Sequence, residues 1–72
     1  MKPRVALFWR KESDYTWRAK SAVDSFAIRR TMIYHDSGAM EMFYVFKKRK
    51  REVRLGAAKS LHAAQKLAGG HA

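Results

Sequence analysis

The 72-residue sequence contains no cysteine, a single proline and only six acidic residues. Without cysteine the chain can form neither a disulfide framework nor a thiolate metal site. No apolar run is longer than the five residues of Val5 to Trp9, far shorter than the roughly 20 residues that a bilayer-spanning helix needs. The basic start, Met1 to Arg4, is not followed by a secretory h-region or cleavage site. We therefore expect an intracellular, cytoplasmic protein without a membrane segment.

Residues that carry catalysis are also scarce. The four glycines form no phosphate-binding loop, and the three histidines are too scattered for a metal site. The three aspartates fall at predicted turns, where local turn chemistry accounts for them. Ser60 fits a helix cap more simply than a nucleophile. The sequence thus predicts a protein that is not an enzyme and that has no metal, no cofactor and no catalytic residue.

Positive charge is what the sequence does contain. Sixteen lysines and arginines against six acidic residues give a net charge of +10, whereas small soluble domains are usually designed with a magnitude of about 2 to 8. Such an excess causes self-repulsion, which a polyanionic partner relieves. The alternative is that the charge only maintains solubility.

The length predicts one domain, residues 1–72, with residues 69–72 as a flexible tail. A chain this short buries only about 60% of its unfolded surface, so its stability should be modest. A bound partner or a dimer would add to that stability, and the sequence leaves both open.

Alternation of polar and apolar residues indicates strands over the first two thirds of the chain. The predicted strands are Val5–Arg10, Tyr15–Ser21, Phe26–Tyr34, Glu41–Lys48 and a short optional segment at Glu52–Leu55. Lys11 to Asp14 is interpreted as a polar hairpin connector, and His35 to Gly38 as the clearest turn. The strand from Glu41 is apolar on both faces, which is typical of a strand with neighbours on both sides.

The hydrophobic period then changes to that of a helix between Ala57 and Ala68, with a stop at Gly69 and Gly70. Ser60 either caps this helix or lies inside one that begins at Ala57. The predicted fold class is α+β: an antiparallel sheet of three to five strands packed by one C-terminal α-helix.

The candidate binding residues are cations on the strands and in the block from Lys47 to Arg54. Ammonium and guanidinium groups displace counterions from a phosphate backbone. The candidates are Arg10, Arg18, Lys20, Arg29, Lys47, Lys48, Arg49, Lys50, Arg51 and Arg54. A block of this composition is equally suited to the protection of a sheet edge or to nuclear localisation.

The aromatic residues are predicted to form the core rather than to stack on bases, because a short chain needs its large apolar groups for folding. The predicted core aromatics are Trp9, Trp17, Phe26, Phe43 and Phe46.

Two segments resemble a known family. The stretch LGAAKSLHAA, Leu55 to Ala64, is similar to the start of the helix in AP2-type DNA-binding domains, and Trp17-Arg18-Ala19 resembles their Trp-x-Ala strand. Those domains, like the arm-binding domains of some phage integrases, place a three-stranded sheet in the DNA major groove and brace it with one helix. The resemblance implies a DNA-facing role for Arg10, Trp17, Arg18 and Lys20.

The first functional hypothesis is therefore a non-catalytic nucleic-acid-binding module, with DNA preferred over RNA. The alternative is an inhibitor or adaptor, such as a small phage accessory protein, that binds an acidic surface of a host protein complex. Anti-CRISPR proteins are similar to this chain in size and in their lack of enzymatic motifs. A peripheral ribosomal or membrane-surface protein is a third hypothesis, but the predicted helix is too short and too rich in alanine to anchor in lipid headgroups.

Overall fold

Five antiparallel strands and one C-terminal helix form the computed structural model, which describes residues 7–21 and 24–71. The elements are β1 (Arg10–Ser13), β2 (Thr16–Lys20), β3 (Ser25–His35), β4 (Gly38–Lys48), β5 (Glu52–Ala58) and α1 (Leu61–Gly69). The strands lie in one sheet in chain order, β1-β2-β3-β4-β5. This confirms the predicted α+β class, and β4 has neighbours on both sides as predicted.

The first strand differs from the prediction. Residues 11–13, predicted as a connector, belong to β1, and the turn consists of Asp14 and Tyr15. The Tyr15 backbone N–H donates to the Ser13 hydroxyl (3.2 Å), which helps to close this short turn. The prediction was wrong because β1 is a fully exposed edge strand, and charged residues are favoured at sheet edges. Of the predicted strand, residues 5 and 6 lie outside the described residues.

The β3–β4 hairpin is the longest element, with eleven residues in each strand. The predicted turn is confirmed: Asp36 and Ser37 connect the strands, and Gly38 has φ +136°, a backbone conformation that favours glycine. In this hairpin β2 pairs only with residues 25–29 of β3, and β5 pairs only with residues 43–48 of β4. Residues 31–42, here called the β-arm, therefore extend as a two-stranded ribbon, which accounts for the 44 × 26 × 20 Å dimensions of the molecule.

The helix begins after Ser60, which is confirmed as its N-cap. The Ser60 hydroxyl accepts a hydrogen bond from the Ala63 backbone N–H (3.1 Å), satisfying a donor that the first turn would otherwise leave unpaired. At the other end Gly69 is the last helical residue and Gly70 is the C-cap. The Gly70 N–H donates to the Lys66 carbonyl (3.1 Å), and the His71 N–H to the Ala68 carbonyl (3.0 Å).

The core lies between α1 and one face of the sheet. Four sheet residues, Phe26, Ile28, Phe43 and Val45, meet the fully buried Ala64 and Ala68 of the helix. The register between β4 and β5 shifts at Val45 and Phe46, which forms a bulge on β5. Beyond it lies Gly56, where a Cβ would come within 2.9 Å of Leu67 Cδ2, so the glycine allows the helix to pack closely on the sheet.

The predicted core aromatics are only partly correct. Phe26 and Phe43 are buried, and Trp9 and Trp17 pack partly buried against the cluster. Trp17 contacts Phe43 with ring centroids 5.9 Å apart. Phe46 is not in the core, since its position in β4 directs it to the other face of the sheet.

Within the part of the chain that is described, no helix is long and apolar enough to cross a membrane.

Removal of the Trp17 ring should destabilise the fold. Because the ring packs on Phe43 at the margin of the core, we expect Trp17→Ala to lower the free energy of unfolding by about 3 kcal/mol, measured by urea denaturation. Phe8→Ala is the control, since Phe8 is 85% exposed and its loss should change stability by less than about 0.5 kcal/mol. Equal stability of the two variants would contradict the assigned core.

Candidate polyanion-binding face

The sheet face that α1 does not cover is here called the open face. Directly paired residues of antiparallel strands point to the same side of a sheet, so the strand register assigns residues to each face. Three successive rows cross the open face. They consist of Lys20, Ser25, Lys48 and Glu52; Arg10, Arg18, Ala27, Phe46 and Arg54; and Thr16, Arg29, Tyr44 and Ala57.

These rows bring together cations that are far apart in the sequence. Every strand contributes at least one of them, and all are exposed. They are Arg10, Arg18, Lys20, Arg29, Lys48 and Arg54. Six of the predicted binding residues thus share one face, although Arg10 and Arg54 are 44 positions apart.

Two carboxylates accompany the six cations. Glu12 forms an ion pair with Arg18, and Glu52 lies 3.8 Å from the Arg29 guanidinium. The side chains of both pairs are between 39% and 53% exposed, and ion pairs at such positions contribute only about 0 to 1 kcal/mol. An incoming anion can therefore compete for either arginine at little cost, and the open face keeps a clear excess of positive charge.

Two aromatic rings support guanidinium groups on this face. The Arg29 Cζ lies 5.1 Å from the centroid of Phe46, and the Arg54 Cζ lies 5.6 Å from the centroid of Tyr44. Cation–π attraction at this distance contributes about 0.5 to 1 kcal/mol at exposed sites and restricts the arginine side chain. The rings therefore hold two planar cations in place on the sheet.

This role of Tyr44 and Phe46 was not predicted from the sequence. Their spacing of two residues in one strand places both rings on the same face, and that signal was present in the sequence. The arginines that lie over these rings are set by the pairing register of β4 with β3 and of β4 with β5. The register of β4 with β5 contains the bulge.

The turn between β4 and β5 holds Arg49, Lys50 and Arg51, here called the basic loop. Arg49 makes a two-point contact with Asp24: its Nε lies 2.9 Å from Oδ1, and its Nη2 lies 3.4 Å from Oδ2. The Asp24 side chain is only 5% exposed, whereas that of Arg49 is 63% exposed. Arg49 thus neutralises a buried carboxylate and ties the basic loop to the chain segment between β2 and β3.

The remaining predicted binding residues are distributed unevenly. Lys50 and Arg51 are exposed at the end of the open face and form no ion pair with any described residue. Lys47 is paired with Phe26 and Val53 and points to the helix side of the sheet. Trp17 is also on the helix side, so it does not share the open face with Arg10, Arg18 and Lys20.

A groove of about 710 Å³ lies along β1 and β2 at the edge of the sheet, between Arg10, Arg18 and Lys20 of the open face and Lys11 and Ala19 of the helix side. Its lining includes the exposed ring of Phe8 beside Arg10, Arg18 and Lys20. Among residues 7–21 and 24–71 there is no cluster of three or more metal-ligating side chains.

Loss of the Arg49 side chain should destabilise the protein more than loss of its neighbour. Arg49→Ala leaves the Asp24 carboxylate buried without its partner, and we expect a cost of about 1 to 2 kcal/mol, reduced from the full value for a buried pair because Arg49 is largely exposed. Lys50→Ala removes the same charge from the same loop and should cost less than about 0.5 kcal/mol. Urea denaturation measures both, and equal costs would show that the Asp24 contact does not stabilise the fold.

Comparison of the chain with protein-family models, with curated proteins and with solved structures gives no match. The function is therefore inferred from the residues of the open face and from their chemistry.

Proposed function

We propose that this protein is a non-catalytic nucleic-acid-binding module whose open face contacts the phosphate backbone, with duplex DNA as the preferred form. The observation that supports this most directly is the collection of six exposed cations from five strands on the one sheet face that the helix leaves uncovered. Lys50 and Arg51 of the basic loop add charge at one end of that face.

Phosphate binding by such a face is driven by the release of condensed counterions. Rows on one face of a strand repeat about every 6.8 Å, which is close to two steps of the 3.4 Å rise per nucleotide. Cations in successive rows therefore match a backbone with regularly spaced charge. If about five phosphates are neutralised, the logarithm of the affinity should fall against the logarithm of the salt concentration with a slope of about −4 to −5.

The covered rings favour a duplex over a single strand. Proteins that bind single strands offer aromatic faces on which bases stack, but Phe46 and Tyr44 each lie beneath an arginine. What the face offers instead are planar guanidinium groups, which suit phosphates and the edges of bases in a groove. The B-form major groove, about 12 Å wide, admits β-strands, whereas the A-form major groove of RNA is too deep and narrow for them.

A charge-matched pair of variants tests the proposal. In the first variant Arg18, Arg29, Lys48 and Arg54 are replaced by Gln, and in the second Lys11, Lys47, Lys59 and Lys66, all outside the open face, are replaced by Gln. Both lose four charges, but only the first loses them from the open face. We expect the salt slope for a fluorescent duplex to become shallower by about 3 to 4 in the first variant and by less than about 1 in the second.

Fluorescence anisotropy across a salt series measures this difference, with single-stranded DNA and duplex RNA as competitors. If both variants bind the duplex equally weakly and with the same salt slope, net charge alone attracts the polyanion. Absence of binding by the wild-type protein at low salt would reject the proposal. In that case the alternative, an acidic protein surface, predicts a stoichiometric protein partner that survives nuclease treatment of the lysate.

Replacement of the supporting rings should weaken binding without a change in the number of phosphate contacts. For Tyr44→Leu and Phe46→Leu we expect a loss of affinity of about 2- to 5-fold each, which corresponds to one exposed cation–π contact, with an unchanged salt slope. Tyr15→Leu is the matched control, because Arg30 lies over the Tyr15 ring at 5.8 Å on the helix side. An effect of Tyr15→Leu as large as that of Phe46→Leu would contradict the assigned roles.

A further inference from the structure

The β-arm has an edge on β3 that no described strand covers. The last residue of β3 that pairs with β2 is Arg29, and the Arg30 N–H then donates to the Tyr15 carbonyl (2.8 Å). Backbone groups of alternate residues point to the same edge of a strand. The N–H and C=O groups of Met32 and Tyr34 therefore point outward from this edge, away from β4.

Half of the residues of the β-arm are apolar, and none is a lysine or an arginine, unlike those of the open face. Tyr34 is 78% exposed, and Met32, Ile33, Met40 and Met42 are only partly buried. A two-stranded ribbon is at best marginally stable in water. The uncovered β3 edge carries no lysine, proline or bulge, which are the features that natural proteins use to prevent edge pairing.

The charge of the β-arm excludes a polyanion as its partner. Residues 31–42 contain Asp36 and Glu41 and no lysine or arginine, so the rest of the chain carries 16 cations against four carboxylates, a net charge of +12. Two copies of a chain with a net charge of +10 can therefore meet at this edge without placing lysine or arginine side chains opposite each other. The same edge of a second copy also brings the apolar side chains that this edge needs.

We propose that the β3 edges of two copies pair antiparallel about a two-fold axis at Tyr34. The Tyr34 N–H of each copy then donates to the Tyr34 carbonyl of the other, and Met32 lies opposite Asp36 of the second copy. Because β2 pairs with β3 only as far as Arg29, no residue of β2 lies beside residues 31–35. The tip of the second β-arm fills this space and ends before the turn at Asp14 and Tyr15. Asp36 of the second copy arrives two residues from Arg30, whose guanidinium it shares with Glu41 of the first copy.

The edge of β4 is a poorer choice for the same contact. Its outward-pointing residues are Ala39 and Glu41, because Ala39 lies directly opposite Tyr34 in the hairpin. Pairing there would place both Glu41 carboxylates beside the axis, and Glu41 already forms an ion pair with Arg30 of its own chain. The β3 edge presents Met32, Ile33 and Tyr34 instead.

The dimer also has a consequence for DNA binding, which rests on the proposed function. A two-fold axis perpendicular to the sheet places both open faces on the same side. The two Arg29 residues then lie about 34 Å apart along the strand direction, at about 3.4 Å per residue. This separation is close to one turn of B-form duplex, about 34 to 36 Å.

Cysteine cross-linking tests the pairing directly, because the chain has no cysteine of its own. At the proposed axis the two residue-34 Cα atoms form a hydrogen-bonded pair about 5.5 Å apart, within the range for a disulfide. Under mild oxidation Tyr34→Cys should form covalent dimers at least about tenfold faster than Ala39→Cys, the residue directly across the hairpin, since pairing raises the effective thiol concentration. Equal rates, or faster cross-linking of Ala39→Cys, would overturn the proposal.

A second pair of variants removes one outward-pointing N–H from each edge of the β-arm. Tyr34→Pro and Ala39→Pro both leave the hydrogen bonds of the hairpin intact, because neither N–H is used between β3 and β4. In analytical ultracentrifugation the wild type and Ala39→Pro should be dimers at concentrations where Tyr34→Pro is a monomer. A monomeric wild type with salt-dependent DNA binding would reject the dimer and keep the proposed function. A dimer that fails to bind DNA would reject the proposed function and keep the dimer.

Discussion

The pleat of the sheet is the constraint on which the whole structure depends. Successive side chains of a strand point to opposite faces, so one strand can serve a core and a charged surface at the same time. In β3, Phe26 and Ile28 meet the helix while Arg29 points away from it. In this chain of 72 residues the same strands therefore form both surfaces. The single helix decides which face becomes the core, because it covers one side only.

The helix, the β3–β4 hairpin and the fold class could be predicted from the sequence because their signals are local. Ser60 is a good N-cap, Gly38 tolerates the turn conformation, and both strands of the hairpin were predicted, although each is longer than predicted. The strand β1 was misplaced because an edge strand has no buried face, and Lys11 to Ser13 carry no apolar alternation. Alternation also left undecided which face of β4 is the core, since Phe43 and Phe46 are equally apolar.

The composition of the candidate face could be predicted better than its geometry. Alternation alone separates Arg18 and Lys20 from Trp17 within one strand. The position of Lys47 on the helix side follows from its pairing with Phe26, and the contact of Arg49 with Asp24 joins residues 25 positions apart. Both depend on strand register, which a run of basic residues in the sequence does not reveal. Charge indicates how many cations are present, and register decides which of them can act together.

The strand order has a consequence for how the chain reaches its native state. Each strand pairs with the strand that precedes or follows it in the sequence, so almost every backbone pairing closes a short loop at a low entropic cost. Topologies dominated by such local contacts fold faster than sandwiches and barrels of similar size. The contact of α1 with β3 is the main exception, since it spans the two intervening strands. A meander of this kind favours growth of the sheet from the central hairpin outward, with docking of the helix as the step that excludes water from the core.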